Sequence, residues 1–255
     1  TYKPFMSLAA LETGKRTTGT TIMDGGSWPF AGHTFRSGHA LGAVDLHRSI
    51  VKSSNVYYYM LANDMGVNLI HDFMKPLGFG QVTGIDIPGE TRGVLPSTDW
   101  KRRTYKRPEQ QRWYAGETIS LGIGQGYNNF TMLQLASATA TVAAGGVRHT
   151  PHLVKAQQDA ISLQVKELPQ PPGQSMGYKP DHVAAVKRGM VGVTLEGTSR
   201  GVFAGAPYLS GGKTGTAQAV SIGQKSRYNA AKLAEHPPAP ALYTAFAPAD
   251  NPRIA

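Results

Sequence analysis

Helical periodicity fills the first two thirds of this 255-residue chain and gives way to glycine-rich extended segments in the last third. Phe5, Met6, Leu8, Ala9 and Leu11 mark a buried helix over Pro4 to Leu11, ended near Gly14. Asp45 is placed to cap a helix running to about Lys52. After a break at Ser53-Ser54-Asn55, the run "VYYYMLANDMG" reads as a helix closed by Gly66, and a short one follows from Val67 to Leu77. Thr131 caps a further helix that stops at Gly145-Gly146, and another spans about Pro180 to Leu195. The segments "GGKTGTAQAV" and "ALYTAFAP" read as strands, and "HPPAPA" between them as a loop. Such segregation predicts an α+β fold with an antiparallel sheet flanked by helices.

A chain of this length buries a proper core, and its 40% hydrophobic content, 30 glycines and 17 prolines suit a globular protein rich in turns. No window approaches ~18 consecutive apolar residues, so the stretch contains no transmembrane helix. The absence of cysteine excludes disulfides and thiolate metal sites, and leans toward an oxidising space. The net charge of +10 suits an anionic polymer or membrane surface. Its densest source, Lys101 to Arg112, reads as a solvated loop; Pro108 and the lack of an apolar stripe speak against a groove-reading helix and nucleic acid.

The chemistry sits in short motifs. "SGGKTGTAQ" is no phosphate loop, since Pro207 stands where the first glycine is needed and the residues after Lys213 favour a strand over a helix. Read as a strand, it offers one ammonium and two hydroxyls, Lys213, Thr214 and Thr216, expected to alternate and share a face as a carboxylate receptor. Gly215 would let a substrate backbone lie close. Ser53-Ser54-Asn55 is a weak motif alone, a helix cap and a turn residue, but a turn between buried helices can present a hydroxyl and an amide to a cleft. Serine enzymes acting on penicillin and peptidoglycan combine S-x-x-K with S-D-N and K-T-G. The second and third elements occur here in order. Lys3 opens an apolar helix as the first element requires, and its serine is expected immediately before Thr1.

With these motifs in order, the chain resembles the transpeptidase domain of a class B penicillin-binding protein, closest to the elongation-type penicillin-binding protein 2. "TYKPF", "RSIVKSSNVYYYMLANDMG", "GIGQGYNNFTMLQLA", "SGGKTGTAQ" and "FAPADNPRIA" carry the resemblance, which covers essentially all of residues 1–255 as one domain. It implies the penicillin-binding/serine β-lactamase-like fold, expected here to be incomplete at both ends, with an exposed sheet edge that would keep these residues from folding alone.

The resemblance further implies a D,D-transpeptidase that acylates a serine with a D-Ala-D-Ala stem peptide, transfers the acyl group to a neighbouring stem amine and is blocked by β-lactams. Lys3 would be the general base, Ser53 a proton relay, Asn55 the holder of the donor amide, and Lys213 both a source of positive charge and, with Thr214, Gly215 and Thr216, part of carboxylate binding. The Thr216 N–H would complete the oxyanion hole. Tyr57, Tyr58 and Tyr59 read as core and cleft wall, and Gly124, Gln125 and Gly126 as a shaped loop. No cofactor and no metal are expected. Some relatives hold zinc near the Ser-x-Asn motif; Asp24, His33, His39 and Asp45 lie in that neighbourhood without a cysteine. An elongation-machinery glycosyltransferase is the expected partner, a membrane anchor is expected outside the sequence, and the periplasmic face of the bacterial inner membrane is the expected location. A β-lactamase or a penicillin sensor are the alternatives; neither Glu109 nor Glu117 sits in a block like the hydrolases' deacylating glutamate.

Overall fold

The computed structural model describes residues 1–216 and 241–255. Its elements begin with α1 (Lys3–Glu12), two antiparallel pairs made by β1 (Ile22–Asp24), β2 (Ser27–Phe30), β3 (His33–Arg36) and β4 (Gly42–Val44), then α2 (Leu46–Val51) and α3 (Asn55–Met74). Next come α4 (Thr98–Thr104), α5 (Pro108–Gln111), α6 (Ala115–Leu121) and α7 (Met132–Ala143). Short strands β5 (Val147–Arg148), β6 (Ala156–Gln158), β7 (Val165–Glu167) and β8 (Gln174–Ser175) lead to α8 (Pro180–Leu195) and α9 (Arg200–Phe203). The last pair is β9 (Gly211–Thr216) and β10 (Ala241–Phe246). The mixture of helices and antiparallel strands is the α+β architecture read from the sequence. The predicted "HPPAPA" loop and the end of the "GGKTGTAQAV" strand lie outside the described residues.

α1 is the central helix. Every residue from Lys3 to Leu11 is buried, because α2, α3 and α8 all pack on it. Around its first turn Tyr2, Phe5, Phe79 and Phe130 form one aromatic cluster, with Phe5–Phe79 centroids 5.2 Å apart and Tyr2–Phe130 5.4 Å apart. Truncating Phe5, which has no solvent exposure, to Ala would cost about 3–5 kcal/mol. That packing fixes where Lys3 stands.

The turn between α2 and α3 is built with equal care. Asp45 caps α2 by accepting from the Arg48 N–H at 2.7 Å. Its far end closes with Ser54 N–H donating to Ser49 O and Ser53 N–H to Ile50 O, a Schellman pattern. The left-handed residue there is usually glycine; here it is Ser53, at φ 57. Ser54 then caps α3, accepting from the Tyr57 N–H at 3.1 Å. The expected break at Gly66 is present: its backbone is non-helical, φ 73, so α3 is two helices meeting at a kink, and the second stops at Met74.

β9 and β10 pair antiparallel, with Lys213 opposite Thr244 and Thr216 opposite Ala241. α8 packs on β9 and α7 on β10, so the strand pair is flanked by helices. Gly211 and Gly212 are explained by this pairing. A Cβ at either would collide with the ring of Phe246 or Tyr243 across the strands.

The basic stretch departs from its reading as a solvated loop. It forms most of α4 and all of α5, and Lys101 is buried to 3% exposure. Ser97 caps α4 by accepting from Trp100 N–H, and α6 starts without an Ser, Thr, Asp or Asn cap because Glu117 reaches back to the Tyr114 N–H. Among the described residues no helix is long and apolar enough to cross a membrane.

Candidate active site

The N-terminal turn of α1, the turn before α3, the 123–129 loop and β9 converge on one cleft of ≈ 1010 Å³. Its floor carries Lys3, Ser53, Asn55, Thr214, Gly215 and Thr216. Lys3 Nζ lies 2.6 Å from Ser53 O, 2.6 Å from Asn55 Oδ1 and 3.0 Å from Ser53 Oγ. Lys213 Nζ reaches the same Ser53 Oγ at 2.9 Å, and also Thr214 O at 3.2 Å. One serine hydroxyl thus sits between two amines from opposite ends of the chain.

Neither amine contacts a carboxylate among the described residues. Lys3 is buried, and its pKa is pushed well below the ordinary lysine value by desolvation first and the Lys213 ammonium second, with Asp24 opposing. Lys213 has no solvent exposure, and burial lowers its pKa to about 8. Burial and the neighbouring ammonium thus both favour the neutral form of Lys3, beside a lysine that keeps most of its charge at pH 7. Beneath Lys3, the buried Tyr58 hydroxyl joins Ser7 of α1 at 2.7 Å and Ser49 of α2 at 3.0 Å, tying three helices together one turn from the amine.

All seven residues singled out in the sequence meet at or beside the cleft, with two differences in detail. Strand alternation puts Thr214 and Thr216 on one face of β9 and Lys213 on the other; the lysine rejoins the site only through its long side chain. The space beside Gly215 is taken by α1, since a Cβ there would lie 2.5 Å from the Thr1 nitrogen. Glycine at this position lets β9 approach the helix start, and Thr1 N–H donates to Thr214 O at 3.1 Å.

Sequence reasoning missed several residues here. Thr198 Oγ1 lies 2.8 Å from Thr214 Oγ1, extending the row of hydroxyls. Asp24, named from the sequence only in the zinc neighbourhood, is fully buried, accepts from Ser54 Oγ at 2.5 Å and Gly26 N–H at 2.8 Å, and so holds the cap next to Ser53. Asp24 and Asp45 are thus committed to backbone and hydroxyl partners, and His33 packs on Phe35. Among the described residues no three His, Cys, Asp or Glu side chains converge, so these residues do not fit a zinc ligand set.

The penicillin-binding protein transpeptidase domain matches residues 1–255. The chain belongs to the penicillin-binding protein transpeptidase family. It is 41% identical over 262 residues to the peptidoglycan D,D-transpeptidase MrdA of Haemophilus influenzae, covering 100% of this chain and 39% of that protein. The crystal structure of Pseudomonas aeruginosa PBP2 in complex with WCK 5153 superposes with a TM-score of 0.83 at 36% identity, covering 100% of this chain and 52% of that one. The Helicobacter pylori PBP2 in complex with MreC gives 0.79 at 27% identity, covering 98% and 43%. The domain spans about two fifths of the length of the curated relatives it matches. That these relatives are named MrdA and PBP2 accords with the elongation-type resemblance read from the five sequence blocks.

Proposed function

We propose that the domain is the catalytic part of a peptidoglycan D,D-transpeptidase of cell elongation. The observation that carries this reading is the pair of buried amines, unpaired by any carboxylate among the described residues, that share the Ser53 hydroxyl. A neutral lysine has two N–H donors and one lone pair. In its neutral form Lys3 donates to Ser53 O and Asn55 Oδ1, which only accept, and keeps its lone pair for the nucleophile's proton. Lys213, still protonated, donates to Ser53 Oγ.

In this reading the nucleophile is a serine one helical turn ahead of Lys3, where the family motif has it. Lys3 takes its proton as the oxygen attacks the carbonyl between the two D-alanines. The C–N bond then breaks, and Ser53 passes a proton to the leaving amine. The acyl-enzyme forms as D-alanine departs, and a stem amine from a second strand displaces the serine oxygen. Asn55 holds the donor amide; Lys213, Thr214 and Thr216 bind its terminal carboxylate, with Thr216 N–H in the oxyanion hole and Gly215 allowing the close approach of β9. The partners in this reading are peptidoglycan stem peptides, β-lactams, an elongation-type glycosyltransferase and a scaffold of the MreC kind. The location is the periplasmic face of the inner membrane.

A hydrolytic role is disfavoured by Glu117, the nearest candidate for a water-activating base in the sequence. Its carboxylate accepts from Lys101, Tyr127 and the Tyr114 N–H, and it does not line the cleft. The test is a labelled penicillin followed by a D-Ala-D-Ala stem peptide with the intact protein. Rapid labelling retained for hours, together with turnover of the peptide, is expected. Release within seconds would identify a lactamase, and stable labelling without peptide turnover would identify a sensor.

A further inference from the structure

The cleft has a second half that the acylation chemistry does not use. Trp100, Tyr105 and Tyr127 line it, with Ser120, Gln125 and Asn128 beside them. The three rings form one group, with centroids 5.2 Å apart for Trp100–Tyr127, 6.4 Å for Trp100–Tyr105 and 6.5 Å for Tyr105–Tyr127. Each is half-buried, so one side is packed and the other faces the cleft.

What fastens this group is the buried Lys101. Its Nζ lies 2.6 Å from Glu117 Oε2 and 2.8 Å from Arg112 O, and it stands over the rings of Trp113, Tyr114 and Tyr127 at 5.4, 5.4 and 5.6 Å. Glu117 in turn accepts from the Tyr127 hydroxyl at 2.8 Å. Burial pushes the Glu117 carboxyl up, but the hydrogen bonds from Lys101, Tyr114 N–H and Tyr127 outweigh it and hold the group below the usual carboxylate range. An ion pair of this depth is retained at a cost in desolvation, and here it fixes three elements, α4, α6 and the 123–129 loop, around one aromatic wall.

We infer that the wall formed by Trp100, Tyr105 and Tyr127 is a saccharide subsite, taking an N-acetylhexosamine ring of the glycan strand. Three features select that chemistry. The rings are broad, flat and rigid, matching the C–H face of a pyranose. Tyr127 already holds the Lys101 ammonium near its ring, which draws down the electron density a second cation would need, so the wall does not favour the protonated stem amine. The flanking Ser120, Gln125 and Asn128 supply hydroxyl and amide groups, the polar rim that a hydroxylated, acetamido-bearing ring requires. Asn128 Nδ2 donates to Leu121 O, which orients its amide, and its shielded Oδ1 has no partner among the described residues.

The subsite rests on the transpeptidase reading only for the identity of the polymer. Its test is calorimetric titration of the intact protein with the peptide-free N-acetylglucosamine–N-acetylmuramic acid disaccharide and, separately, with the bare stem pentapeptide. The disaccharide is expected to bind, and Trp100→Ala to weaken it by about tenfold or more, with Trp100→Phe recovering part of the loss. No disaccharide binding, or a Trp100→Ala effect confined to the pentapeptide, would overturn the inference. Disaccharide binding without penicillin labelling would instead leave the subsite standing and remove the transpeptidase reading.

Discussion

The two halves of the cleft bury lysines in opposite ways. At the acylation end the hydrogen-bond partners of Lys3 and Lys213 among the described residues are hydroxyl, amide and carbonyl oxygens, and burial first and the Lys213 ammonium second lower the Lys3 pKa. At the aromatic end Lys101 lies against Glu117, and the charges neutralise each other. The first arrangement favours reactivity, because an amine pushed toward its neutral form can act as a base. The second stores position, because a paired charge holds its neighbours. Burial is common to both; the carboxylate decides which outcome results.

This contrast predicts a double dissociation. Lys3→Ala is expected to slow penicillin acylation by about 10³-fold, the scale of a lost general base, as read by the rate of covalent labelling. At the other end Lys101→Met leaves Glu117 without its partner. It is expected to destabilise the fold by about 3 kcal/mol in a denaturant titration, with the double change to Lys101→Met and Glu117→Gln recovering much of that. Lys213→Met, by contrast, removes a fully buried amine that has no carboxylate partner among the described residues, and it conserves volume. Its expected cost in stability is below about 1.5 kcal/mol. Equal destabilisation by Lys101→Met and Lys213→Met would break the comparison.

Ser53 sharpens the contrast further. Its left-handed backbone is strained for serine and natural for glycine. Ser53→Gly is expected to raise stability by about 0.5–1 kcal/mol while lowering acylation, since the hydroxyl shared by the two amines is gone. Thermal melting and labelling on the same sample would show the two quantities moving in opposite directions.

Much of the acylation end was legible in the sequence because its parts are local. A lysine opening an apolar helix, a Ser-Ser-Asn break and a Lys-Thr-Gly strand each follow from a few neighbouring residues, and α7 and α8 were readable from caps and period. The aromatic end was not, for a physical reason. Lys101 looks like any member of a basic run until Glu117, sixteen positions later in space and sequence alike an unannounced partner, comes against it. α6 hid for the same cause, since its start is closed by Glu117 behind a glycine, Gly116, and not by a cap residue. The face of Lys213 was misread because strand alternation says where a side chain leaves the backbone, and a lysine's amine ends four carbons away.

The central claim is that the Lys213 ammonium adds to burial in holding the Lys3 pKa down. A lysine with a lowered pKa loses its base form as the pH falls through that value, and Lys213 loses its ammonium as the pH rises through about 8. The two titrate as a coupled pair, so penicillin acylation should rise and then fall with pH, the alkaline limb near 8. The most direct measurement is that profile in the intact protein and in Lys213→Met. Removing the neighbouring positive charge makes Lys3 easier to protonate, so the acid limb should move to higher pH and the alkaline limb should vanish. An acid limb that stays in place, or moves to lower pH, would contradict the account.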